Sequence, residues 1–232
     1  MPKASQTTAQ SDARNPPRQS PASASDLVFM GIVRGLERHT FVPSQRLVEA
    51  DLAEQFDVGR NSVREALQRL AAEGIVELNR HRGASIRSLS LQEARDVMEV
   101  AELLTGLLGR AAARHGKRSP HAAELRLALA DIASERVRSS SEAFSKARRN
   151  FYRALLDIAA NRELNRLFPA VQMHVVHAQY RTPELLEMRI VDYARIGAAV
   201  LAGDGKKAEA AGIDHVRHVR EAIERVATGM AD

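Results

Sequence analysis

Four residues at the start of one short helix carry the most pointed chemistry in the chain: Arg60, Asn61, Ser62 and Arg64. A guanidinium fork donates two parallel hydrogen bonds, matching a phosphate or the O6/N7 edge of guanine. An Asn amide matches the N6/N7 edge of adenine. A helix N-terminus adds unpaired N–H groups and the positive end of its dipole. Behind these residues Val63, Ala66, Leu67 and Leu70 recur at helical spacing, so the helix has an apolar face for docking and a polar leading edge to present. Further on, Arg82 and Gly83 sit at the basic tip of a hairpin pattern and could reach a minor groove or its phosphates.

The surrounding elements must position that edge. A helix over 25–39 with Ser25 or Asp26 as cap, a second from Leu47 to Phe56, a tight turn at Asp57-Val58-Gly59 and a third helix from Arg60 to Glu73 are expected. Strands at 75–79 and 84–87 then complete a winged helix-turn-helix over 25–88. After Leu89 strand signals stop. Six helices are expected, from Ser90-Leu91 to about 115 and near 120–137, 140–160, 162–178, 183–202 and 205–228, forming an antiparallel bundle over 89–229. The fold class is mainly α. Residues 1–24, rich in Ser, Ala, Gln and Pro, read as a disordered tail.

Composition removes several classes of function. The 232 residues include no cysteine, which excludes disulfides, thiol catalysis and Cys-ligated zinc and suits a reducing cytosol. No run approaches the roughly 18 apolar residues of a membrane span, and the N-terminus lacks the apolar region of a signal peptide. A cytoplasmic protein without membrane contact is expected. The net charge of +5 comes from Arg spread along the chain, so the clustering at Arg60 is more telling than the total.

The string from Leu47-Val48-Glu49-Ala50-Asp51-Leu52-Ala53 through Val63-Arg64-Glu65-Ala66-Leu67 and Glu73-Gly74-Ile75-Val76 to Arg82-Gly83-Ala84 resembles the GntR family of bacterial regulators. Gly59, Asn61 and Ser62 depart from that family's common Ser, Thr and Pro. Leu89-Ser90-Leu91-Gln92-Glu93-Ala94, Phe151 to Asn161 and the Gly203-Asp204 break resemble the FCD domain of its FadR branch. The resemblance implies a homodimeric repressor that binds a near-palindromic double-stranded DNA operator. It further implies release by a small-molecule effector, often an organic acid, held inside the bundle.

Many FCD domains hold a metal with one Asp and three His. Here the Asp position falls on Arg148 and two His positions fall on Tyr152 and Tyr193; the third is kept as His215. Arg148 and Tyr152 are one turn apart and share a helix face. Arg never acts as a practical metal ligand at neutral pH, so no metal or other cofactor is expected. Arg148 is instead expected to clamp an effector's acid group, with Tyr152, Tyr193 and His215 donating hydrogen bonds. An arginine seen in the branch near the first FCD helix falls on Ala101. Three alternatives stay open at this point: a metal site rebuilt from His174, His177, His215 and His218; a metal-dependent all-α enzyme, which no HExxH motif supports; and a constitutive DNA binder with a vestigial pocket. Otherwise the chain is not expected to be an enzyme.

Overall fold

The computed structural model describes residues 23–168, 174–180 and 183–227. All of the expected tail except Ser23 and Ala24 lies outside them. The first helix, α1 (Ala24–Arg38), starts slightly earlier than the spacing suggests. Ser23 is its cap: its hydroxyl accepts from Asp26 N–H, and the Asp26 carboxylate accepts from Ser23 N–H. Two otherwise unpaired donors are satisfied reciprocally.

One correction concerns Leu47. Residues Arg46–Leu47 form strand β1, and the second helix, α2, runs only from Glu49 to Gln55 with Val48 at its cap. Leu47 pairs with Ala84, and it is buried. The helix α3 (Arg60–Ala72) follows, then β2 (Val76–Asn79) and β3 (Gly83–Ile86). The three strands form an antiparallel sheet in the order β1-β3-β2, with Val76 opposite Ile86 and Asn79 opposite Gly83. Gly74 at φ +67° and Gly83 at φ +77° take the left-handed turns that stop α3 and open the returning strand.

The second half is helical: α4 (Leu91–Ala113), α5 (Ala122–Ile132), α6 (Glu135–Ser139), α7 (Ser141–Ala159), α8 (Arg162–Leu167), α9 (His174–Gln179), α10 (Pro183–Ala202) and α11 (Gly205–Ala227). The expected helix near 120–137 therefore appears as two segments, and of the one near 162–178 the two ends, α8 and α9, are described. Ser134, whose hydroxyl donates to Asp131 O at 2.6 Å, turns the chain between α5 and α6. Residues 169–173, between α8 and α9, lie outside those described. Close packing of α4 on α11 relies on Gly109 and Gly212. A Cβ on Gly109 would lie 2.5 Å from Ala208 O, and one on Gly212 would lie 2.7 Å from Thr105 O.

Two apolar cores result. One is confined to the bundle, around Leu108, Phe151, Tyr193 and Val200. The other runs from Ile32, Leu67 and Ile86 of the winged half into Met98 of α4, Val176 of α9 and Val219 of α11. Both halves of the chain share this second core. A change in the bundle therefore meets the winged half through packed side chains, which move together because interiors are close-packed.

Candidate functional site

The leading edge of α3 faces outward. Arg60, Asn61 and Arg64 are exposed and Ser62 is half-buried, while Val63, Ala66, Leu67 and Leu70 of the same helix are buried. Gly59 caps α3 without a side chain and its first turn carries no acid, so nothing local neutralises the positive end of the helix. Arg64 Nε donates to Glu49 Oε2 at 2.8 Å, which aims the guanidinium along the protein surface. Arg82 and Gly83 are exposed at the hairpin tip. Between helix and hairpin lies an open groove of about 450 Å³ whose lining includes Arg46, Arg64 and Arg80. Its three cations were not all legible beforehand: Arg46 joins only because β1 pairs into the wing. A convex helix edge beside a cationic groove and a projecting basic turn is the arrangement that reads a major groove while holding flanking phosphates.

The bundle residues come together as a buried polar cluster. Arg148 is 4% exposed, Tyr152 6%, and Tyr193 and His215 are fully buried. The Tyr152 and Tyr193 rings meet edge-on with centroids 5.8 Å apart, and Tyr193 lies 4.7 Å from the His215 ring. Burial, together with the neighbouring Tyr193, pushes the Tyr152 hydroxyl well above its usual range. Burial pushes Tyr193 up too, although the Arg148 charge opposes it. The two hydroxyls influence each other electrostatically, yet no group in the described protein meets Tyr193 Oη with the geometry of a hydrogen bond.

Sequence reasoning missed two members of the cluster, both on α10. Asp192, 3% exposed, accepts from His215 Nδ1 at 3.3 Å and from His218 Nδ1 at 3.0 Å. Burial pushes the Asp192 carboxyl up, but the hydrogen bonds from the two histidines outweigh it and hold the group below its ordinary value. With its proton on Nδ1, His215 keeps Nε2 as an acceptor, and this buried atom has no partner in the described protein. Arg189, 5% exposed, donates from Nη2 to His177 Nδ1 at 2.8 Å. His177 is consequently neutral: burial, then the Arg189 charge, lowers its pKa well below the usual value. For Arg189 the signal was its place one turn before Tyr193 on the same face, at i−4; Asp192, at i−1, gave none.

Arg148 and Arg189 line a small cavity of about 30 Å³ with His174 and His177. Of the four site residues expected from the sequence, Arg148 alone lines it; Tyr152, Tyr193 and His215 pack behind. Among the described residues no three His, Asp or Glu side chains are arranged to hold a metal ion. His215 and His218 share Asp192, whereas His177 is engaged by Arg189.

A winged helix-turn-helix joined to a helical bundle with a buried polar centre defines a DNA-binding protein with a second site for a small molecule. The model of the gntR family of bacterial regulatory proteins matches residues 27–86, and that of the FCD domain matches residues 96–218. The chain belongs to the GntR family, in the branch that carries an FCD effector-binding domain, and is a transcriptional regulator. Among its relatives, the HTH-type transcriptional regulator LutR of Bacillus subtilis is 28% identical over 74% of this chain and 88% of its own length. The HTH-type transcriptional repressor RspR of Escherichia coli is 24% identical over 86% and 88%. The structure of E. coli McbR/YncC superposes with a TM-score of 0.74 at 18% identity, covering 88% of this chain and 99% of that one. That likeness shows a shared fold. No described helix is long and apolar enough to cross a membrane.

Proposed function

We propose that this regulator is a homodimeric, cytoplasmic repressor that leaves a near-palindromic operator when an anionic metabolite, such as an organic acid, enters the bundle. The observation that carries the reading is Arg148. A guanidinium that is 4% exposed lines a small cavity, where water screens little and an acid group on a ligand would be held strongly. Arg189 stands beside it as a second cation. His215 Nε2, buried without a partner behind the cavity, is an acceptor that an entering molecule can satisfy.

The donor set does not suit the divalent metal that many FCD domains hold. Arg148 brings permanent positive charge to the position of the acid, and neutral Tyr152 and Tyr193 are poor ligands. His215 alone keeps a ligand type, and its Nδ1 is turned to Asp192. Arg148 supplies the charge that a cation would otherwise provide. No catalytic role is proposed for the cluster.

DNA binding is carried by Arg60, Asn61, Ser62 and Arg64 in the major groove and by Arg82 and Gly83 at the flanking backbone, with two copies of α3 about one helical turn apart. The cavity is tested with Arg148→Ala. Wild-type protein should be stabilised against heat by at least one acid from a panel of mono- and dicarboxylates, and the same acid should weaken its binding to DNA selected from a random pool. Arg148→Ala should lose both responses. Retention of both removes Arg148 from the site, and a stoichiometric metal in the purified protein overturns the metal-free reading.

A further inference from the structure

The cavity beside Arg148 is also lined by a residue from the DNA-binding half. Glu37, in the last turn of α1, places its side chain, 7% exposed, against the cavity wall. Its Oε2 accepts from Arg149 Nη1 on α7, and its Oε1 is buried without a partner. Among the described residues lining the cavity Glu37 is the single acid, and Arg148 and Arg189 belong to the same wall. The cavity, at about 30 Å³, has room for a couple of waters at roughly 10–15 Å³ each, and not for a metabolite. Something in its wall must move for a ligand to enter.

We propose that Glu37 is a built-in competitor of the effector: its carboxylate stands in the anion site while the protein is free, and an entering anion displaces it. This inference rests on the reading of the cavity as an anion site. Two carboxylates at one small, poorly hydrated site repel each other strongly. Glu37 is the one that can leave, because it sits on a different structural half from the arginines. It does not leave alone. Asp26 of α1 is bonded to Arg69 of α3 at 2.7 Å, and the Arg69 guanidinium lies 4.8 Å from the Phe29 ring centre. Val28, Ile32 and Leu36 share a core with Val63, Leu67 and Leu70 of α3. Withdrawal of Glu37 therefore shifts α1, and the recognition helix shifts with it. A second pair across the same junction, Arg38 with Glu142, is half exposed and contributes little.

Glu37→Gln keeps the shape and removes the charge, and so imitates the ligand-bound state. Two readouts on the full-length protein test it, with succinate and inorganic phosphate as probes. The variant should bind wild-type-selected DNA at least fivefold more weakly without any ligand. It should also be protected from heat at about tenfold lower probe concentration, since coupling between sites is reciprocal. DNA affinity within twofold of wild type overturns the proposal, whatever the probes do. If Arg148→Ala abolishes probe binding while Glu37→Gln leaves it at the wild-type concentration, the competitor role falls and the anion site stands. If Arg148→Ala leaves probe binding intact, the anion site itself falls, and the competitor role with it. Should Glu37→Gln fold poorly, hydrogen exchange at 33–40 of the wild type decides: faster exchange on adding a probe that stabilises the protein supports displacement, and unchanged exchange refutes it.

Discussion

Gln179, at the end of α9, and Leu89, in the connector between wing and bundle, exchange two hydrogen bonds: Leu89 N–H donates to Gln179 Oε1 at 3.0 Å, and Gln179 Nε2 donates to Leu89 O at 2.7 Å. The same short helix carries His174 and His177 on the cavity wall. It thus links the cavity wall to the connector between wing and bundle by covalent chain and amide pairing. Gln179→Leu preserves bulk and leaves two backbone groups of a buried residue unpaired, which costs about 1–3 kcal/mol each before relaxation. A lowered denaturant midpoint is expected, together with a smaller change in DNA affinity on ligand binding. Full wild-type responsiveness would show that the Gln179–Leu89 bonds are structural only.

Removing charge at α3 should separate reading from steering. Arg60→Ala and Arg64→Ala should each cost about 1–3 kcal/mol on the selected duplex where they meet a base. A phosphate contact instead flattens the salt dependence by close to one unit of log–log slope. Glu49→Gln should act in the opposite sense to a contact loss. It frees Arg64 from its 2.8 Å partner and takes a negative charge off the DNA-facing surface, so non-specific affinity rises while discrimination between sequences falls. Binding isotherms on the selected duplex and a scrambled duplex at two salt concentrations give all three outcomes.

What could be read from the sequence was what short-range physics decides. Ser90-Leu91 at the start of α4, Gly74 after α3 and the apolar rows of each helix are local, and the elements they predict are present. The strand at Leu47 was not legible, because only its distant partner Ala84 makes two residues a strand. The same holds at the buried polar cluster. Arg148, Tyr152, Tyr193 and His215 could be found by position within a family pattern, whereas Glu37 acts through Arg149, 112 residues away. A hint existed: Glu37 falls on the apolar row of α1 beside Leu36, where an acid is expensive unless something pairs with it.

Acid should destabilise the bundle before it affects the exposed carboxylates. His174 is held down to a pKa of about 3 by burial and by the Arg148 and Arg149 charges. Burial lowers His177 and His215 as well, with Asp192 partly offsetting the effect at His215. In the unfolded chain each takes up a proton near its ordinary pKa of about 6.5. Below that pH the unfolded state binds more protons than the folded one, so stability falls as pH drops from about 6.5 towards 4 and is insensitive to these groups above 7. His174→Gln should reduce the slope of stability against pH in that window by up to about 1.4 kcal/mol per pH unit. An unchanged slope would mean that His174 is protonated in the folded protein. A bound anion beside these rings favours their charged forms, so ligand affinity should rise as pH falls over the same range, measurable as proton uptake by calorimetry in two buffers.

The packing of α4 on α11 sets where His215 sits, and its tolerance is small. Gly212 lies one helical turn before His215, and a methyl group there would meet backbone: Thr105 O at 2.7 Å and Thr105 C at 2.9 Å. Backbone cannot rotate aside as a flexible side chain does, so α11 must back away from α4. Gly212→Ala is expected to cost about 1–3 kcal/mol despite Ala's better helix propensity, because overpacking exceeds the gain of up to about 1 kcal/mol from replacing glycine within a helix. The displacement should also lengthen the Asp192–His215 contact, now 3.3 Å, and weaken ligand binding without touching the DNA-facing surface. Glycine at 205 provides the control: its nearest neighbour to an added Cβ is 3.7 Å away, at Arg110 Cγ. Gly205→Ala should therefore leave both melting and ligand response close to wild type. Equal stability of the two variants would mean that α4 and α11 are not held as closely as described, and the geometry of the buried cluster would have to be redrawn.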